Sequence, residues 1–109
     1  MASSRDYLDF VLEQLSELDG ITYRAMMGEY IIYYRDKVAG GIFDNRFLVK
    51  PTPSALAMMP DAEKERPYEG GREMLLVDNI ESRDFLRDLL KTMYDELPVT
   101  KKRKGAKRS

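Results

Sequence analysis

Five groups of residues in this sequence have types and spacing that could support chemistry. The first runs from Arg24 through Met26, Met27, Gly28 and Glu29 to Tyr30, with a guanidinium and a carboxylate on either side of a glycine. Arg24 and Glu29 could be the polar anchors of a partner-binding or small-ligand surface. The second is aromatic: Tyr23, Tyr30, Tyr33, Tyr34, Phe43 and Phe47, with Arg35, Arg46 and Lys50 among them. RNA-recognition sheets stack bases on rings placed beside such cations. The third is Lys101, Lys102, Arg103, Lys104, Lys107 and Arg108, which could hold phosphates weakly through counterion release. The fourth, Asp61, Glu63, Glu65 and Glu69, offers oxygen ligands for a hard cation, though the spacing matches no known cage. The fifth is the carboxylate pair Glu29 and Asp44, the raw material of acid–base catalysis.

Each group also has an architectural reading. Gly28 can permit a strand bulge, Met26 or Met27 can fill a core, and Arg24 can pair with Glu29 across the bend. The aromatic rings can pack beneath helices or form an oligomer face. The acidic segment can be a solvated loop, and the basic one a solubilising tail. Composition narrows the chemistry further. There is no Cys, which removes thiolate nucleophiles and disulfides, and no His, which removes the usual general base and pH switch. No nucleophile, metal cage or phosphate loop accompanies the carboxylates. Neither catalytic residues nor a cofactor or metal is therefore expected.

The charge is unevenly placed. The formal total is −1, but six of the 18 basic groups fall in the last nine residues, leaving 12 against 19 acids in residues 1–100, a charge of −7. An acidic body repels phosphates, so nucleic-acid affinity is expected of the tail and not of the sheet. No apolar run approaches the roughly 20 residues of a membrane span. The N-terminus lacks the apolar centre of a signal peptide, so a cytoplasmic protein without membrane contact is expected.

The elements that must position these groups follow from periodicity. With 109 residues one domain is expected, and a body this size buries about two-thirds of its unfolded surface. Leu8, Val11, Leu12, Leu15 and Leu18 form a helical stripe, with Ser3 and Asp6 as a capping box and Gly20 at its end. Strands are predicted over 21–26, 30–34, 38–43 and 46–50, linked by short turns into an antiparallel meander. Thr52 and Pro53 begin a short helix. Residues 61–71 read as an irregular loop and 73–77 as a last strand. Ser82 caps a final helix with Phe85, Leu86, Leu89, Leu90, Met93 and Leu97 on its buried side. The expected fold is a two-layer α+β domain over residues 1–98, in the order α-β-β-β-β-α-β-α. About five antiparallel strands carry the helices on one face. Residues 99–109 are expected to be a disordered basic tail.

Residues 22–30, Tyr33-Tyr34-Arg35-Asp36-Lys37, Gly40-Gly41-Ile42, Arg46–Lys50, Met74–Asp78 and Met93–Pro98 together resemble the N-terminal domain of the TfoX (Sxy) competence regulators. The resemblance spans about residues 4–98, and its most specific piece is Arg24 to Tyr30. It implies a stand-alone N-terminal domain that lacks the second, helical domain of longer members. It also implies a non-enzymatic role in regulating natural-transformation genes. The protein partner would be a transcription factor such as the cyclic-AMP receptor protein, met as a monomer or homodimer. The partner surface would include Arg24, Met27, Gly28, Glu29 and Tyr30. The alternative is a small-ligand or peptide-binding module outside transcription; an enzyme built on carboxylates is a third reading.

Overall fold

The computed structural model describes residues 3–67 and 70–98. Helix α1, Arg5–Gln14, begins the chain, and the meander β1 (Ile21–Met26), β2 (Glu29–Tyr34), β3 (Lys37–Phe43) and β4 (Arg46–Val49) follows. Helix α2 (Pro53–Met58) leads to two short strands, β5 (Lys64–Glu65) and β6 (Met74–Leu76). Helix α3 (Arg83–Met93) closes the fold and tightens into a 3₁₀ turn over Tyr94–Glu96. All strands pair antiparallel in one six-stranded sheet, ordered β1-β2-β3-β4-β6-β5. The α+β architecture is the expected one. The sixth strand is not: Lys64 and Glu65, in the segment read as irregular, pair with Leu75 and Met74. Two residues are too few to show an alternation in sequence.

The helices share one face of the sheet. Leu8, Val11, Leu86, Leu89, Leu90 and Met93 pack with Ile32, Ile42, Phe47, Val49 and Leu75 in one buried cluster. Each such side chain contributes roughly 1.5–3 kcal/mol by leaving water. Arg83 bonds Glu13 at 2.8 Å and Arg87 bonds Glu17 at 2.9 Å, so α3 is also tied to α1 and to the turn that follows it. Helix α1 starts one residue later than the sequence suggests. Ser4, not Ser3, accepts from the Tyr7 amide at 3.1 Å, and Ser3 is committed elsewhere. Thr52 and Ser82 cap α2 and α3 as expected.

The meander turns on three two-residue loops, Met27-Gly28, Arg35-Asp36 and Asp44-Asn45, and all six residues have positive φ. That is the primed-turn geometry whose twist matches the flanking strands. Only one of the six is glycine. The bend or bulge expected at Met27–Glu29 is therefore a tight turn. The bulge lies instead in β3, where Ile32 pairs with Gly40 and Tyr33 with Val38, leaving Ala39 as the extra residue.

One carboxylate couples the fold to pH. Glu96 accepts from the Ser54 hydroxyl at 2.6 Å and the Ser54 amide at 3.0 Å, joining the start of α2 to the end of α3. The hydroxyl bond first, then the amide bond, hold the Glu96 carboxyl below the ordinary glutamate value. A carboxyl lowered by folding adds stability above its unfolded-state pKa, and that stability is lost as pH falls through the folded one. Between about pH 5 and pH 3 the melting temperature of the native protein should therefore fall more steeply than that of Glu96→Gln. Parallel curves would exclude this role.

Candidate functional site

The side of the sheet that faces away from the helices carries the candidate site. Arg24 pairs with Ile31, Ile31 with Gly41, and Gly41 with Leu48, so these residues form one row on that side. Met26, Ile31, Val38, Phe43 and Met74 line an apolar groove of about 640 Å³ there. Its margin is built by Lys50 and Pro51 after β4, and by Pro67, Gly71, Arg72 and Glu73 before β6. A smaller hollow of about 390 Å³ between Met26, Met27, Glu29, Phe43 and Pro67 extends it to the tip of the first hairpin. A separate hollow of about 520 Å³ lies between the end of α1 and β1, but no charged side chain lines it. The groove joins apolar surface with charged groups, as ligand sites do.

Met27 stands at the hairpin tip, 96% exposed and with φ at +53°. A long side chain in the left-handed region costs about 1 kcal/mol or more, and solvent returns nothing for it. Met26 beside it is 42% exposed. The core-filling reading of these two methionines is thus replaced: both face outward, at the end of the groove.

The same hairpin is anchored from below by a hydrogen-bonded lock. Glu29 Oε1 accepts from the Ser3 hydroxyl at 2.5 Å and from the Asp44 amide at 3.2 Å. Ser3 in turn donates its amide to the Gly28 carbonyl and accepts from the Asn45 amide, both at 3.0 Å, while the Ser4 amide donates to Asn45 Oδ1 at 2.9 Å. The start of α1 and two hairpin turns are held in one network. Arg24 does not pair with Glu29. Nor do Glu29 and Asp44 form a carboxylate pair, since Asp44 meets Glu29 through its backbone.

The five residues expected at a partner surface therefore separate. Arg24 and Met27 belong to the groove side and its tip, and Gly28 and Glu29 to the lock. Tyr30 is half-buried on the helix side, edge-on to Tyr23 at 5.9 Å. Tyr23 is also covered by Arg5 of α1, at 5.6 Å. The aromatic set divides likewise. Tyr34 and Phe47 join the core under the helices, while Phe43 lines the groove. Tyr33, paired with Val38, shares the side of Phe43, so the six rings are split between the two sides of the sheet. The six tail cations and Glu69 lie outside the described residues. Among the described residues no group of three or more acidic side chains is placed to hold a metal ion. No helix among them is long and apolar enough to cross a membrane.

Sequence reasoning passed over Ile31, Val38, Arg72 and Met74, and singled out Lys50 only as a cation beside the aromatic rings. One signal was available: bulky residues on both faces of β2 mean that neither face is fully solvated.

Fold and site together define an α+β domain whose antiparallel sheet is covered by helices on one side and opens an apolar groove on the other. No family model matches the chain, and no solved structure matches it. It is 33% identical over 106 residues to a Spirochaeta aurantia protein described as an uncharacterized 12.7 kDa protein in the trpE 5′ region, across 96% of this chain and 92% of that protein. The chain belongs to the same family as that protein.

Proposed function

We propose that this chain is a non-enzymatic, cytoplasmic protein-binding module whose partner docks in the groove on the helix-free side of the sheet. The groove itself carries the reading: an apolar floor, open to solvent, with an outward methionine at its end. Interaction sites combine exposed apolar surface with a polar rim in this way. Methionine suits the role because its flexible thioether adapts to a partner's shape. The resemblance to TfoX N-terminal domains gives the process, regulation of competence genes through contact with a protein such as the cyclic-AMP receptor protein. The basic segment at 101–108 would add weak, salt-dependent contact with nucleic acid. The groove volume favours a second reading, a small-ligand site, since such sites span roughly 300–1,000 Å³.

Two substitutions test the site without disturbing the core. Met27→Asn places the residue type that tolerates this turn beside Gly28, so it should raise stability by about 0.5–1 kcal/mol, or a few degrees in Tm. Met26→Asp puts a charge on the groove floor at a position already open to water. In calorimetric titrations with the cyclic-AMP receptor protein, both should weaken binding, Met26→Asp by at least about tenfold, or about 1.4 kcal/mol. Binding equal to the native protein's in both variants would remove the groove from the interface. A metabolite that raises the Tm of the native protein and not of Met26→Asp would favour the small-ligand reading.

A further inference from the structure

We infer that the segment received by the groove is an acidic–apolar peptide, with large apolar side chains on the sheet floor and carboxylates on the cations that border it; this rests on the protein-binding reading above. The arginines carry the inference. Six of those described have a side-chain partner. Arg5 bonds Asp9, Arg46 pairs with Glu65, Arg83 with Glu13, and Arg87 with Glu17. Arg66 donates to the Gly71 carbonyl, and Arg35 lies over the rings of Tyr34 and Tyr94. The remaining two are Arg24 and Arg72, whose side chains make no hydrogen bond or ion pair among the described residues, and both belong to the helix-free side. The Lys50 side chain, at the half-buried groove margin, likewise has none among the described residues.

The body holds 19 acids against 12 bases, yet Arg24, Arg72 and Lys50 stand on the groove side without one of them. Among the described residues that line the groove, Lys50 and Arg72 stand against Glu73, with Arg24 in the neighbouring row, while Glu29 in the adjoining hollow already accepts from Ser3 and the Asp44 amide; this border is net positive on an otherwise negative domain. Its potential would select carboxylates and repel a basic segment. Phosphates would answer the charge but not the apolar floor. Arg24 on β1 and Lys50 after β4 are three strand spacings apart across the sheet and two residues apart along it, about 16 Å in all. An extended peptide crossing the strands obliquely would meet both with acids about five residues apart.

The inference is tested by selecting random twelve-residue peptides, displayed on phage, against the full chain. The enriched sequences are then titrated by fluorescence anisotropy with the native protein, Met26→Asp, Arg24→Glu and Lys50→Glu. The expected peptides are net negative with at least two large apolar residues. Each charge reversal should weaken them at least about tenfold, and affinity should fall as salt rises. Peptides held only by the basic segment at 101–108 would ignore Arg24 and Lys50, and would count against the inference. Neutral or basic peptides that Met26→Asp abolishes would overturn the acidic partner while leaving the groove as the site. No enrichment, or no peptide dependent on Met26, would overturn both.

Discussion

Gly40→Ala should destabilise this protein by at least about 3 kcal/mol, more than its single added methyl would suggest. The Cβ of an alanine there would overlap the carbonyl oxygen of Leu48 on β4, with the Val49 Cα at 2.9 Å and the Leu48 carbonyl carbon at 3.0 Å. All three neighbours are backbone, so no rotamer change relieves the overlap. Strand β3 lies between β2 and β4, and Gly40 is itself paired with both Ile32 and Val49. Moving one strand away therefore breaks pairing on at least one side. The entropy gained by removing a glycine from the unfolded chain is below about 1 kcal/mol and does not offset this. At roughly 4–8 °C per kcal/mol the melting temperature should drop by about 12 °C or more. Gly41→Ala makes an informative partner. Its Cβ would meet the Phe43 ring at 2.6 Å, which can shift, and one backbone atom, the Tyr30 carbonyl oxygen, at 2.7 Å, against three backbone atoms at Gly40. That variant should lose less stability but disturb the groove. Thermal unfolding of both decides the matter, and a Gly40→Ala protein melting within 3 °C of the native one, on the order of half a kcal/mol, would refute the argument.

The second large effect is expected at Glu29. Glu29→Ala removes the acceptor of the Ser3 hydroxyl and the Asp44 amide together, at a cost of about 2 kcal/mol. Hydrogen bonds to a charged oxygen are the stronger kind, and this one holds three segments at once: the start of α1 and the turns at 27–28 and 44–45. The loss should be cooperative. In a double-mutant cycle with Ser3→Ala, the two changes together should cost about 1 kcal/mol less than their sum. Strict additivity, measured by urea denaturation, would show that the two side chains do not act through one another.

Much of the fold was legible because its elements announce themselves locally. The stripe from Leu8 to Leu15, the alternation from Ile21 to Val49 and the caps Thr52 and Ser82 are short-range signals, and each marks its element. What failed to show was set by distance along the chain. Ser3 looks like a helix cap until Glu29 and Asn45 arrive beside it from 26 and 42 residues away. Arg35-Asp36 has neither Asn nor Gly, yet the register between Tyr34 and Lys37 forces it through a primed turn. Met26 and Met27 are apolar and so suggest a core, but the edge position of β1 turns them outward. The groove was the least legible part. Its floor comes from β1, β2, β3 and β6, and nothing in the order of Ile31, Phe43 and Met74 marks them as neighbours.

The sheet order has a consequence for synthesis. When the ribosome has released residues 1–49, the meander β1 to β4 can already pair, because each turn joins strands adjacent in the chain. Yet β6, which must pair with Leu48 and Val49, lies beyond residue 73, and α3, which covers the core, begins at Arg83. The bonds that tie α3 to α1 and its following turn span 70 residues. Between the release of β4 and that of α3, about a third of the chain's length, the nascent sheet therefore keeps apolar side chains exposed on both sides. It then becomes a finished domain in a single late step, as the final quarter of the chain emerges.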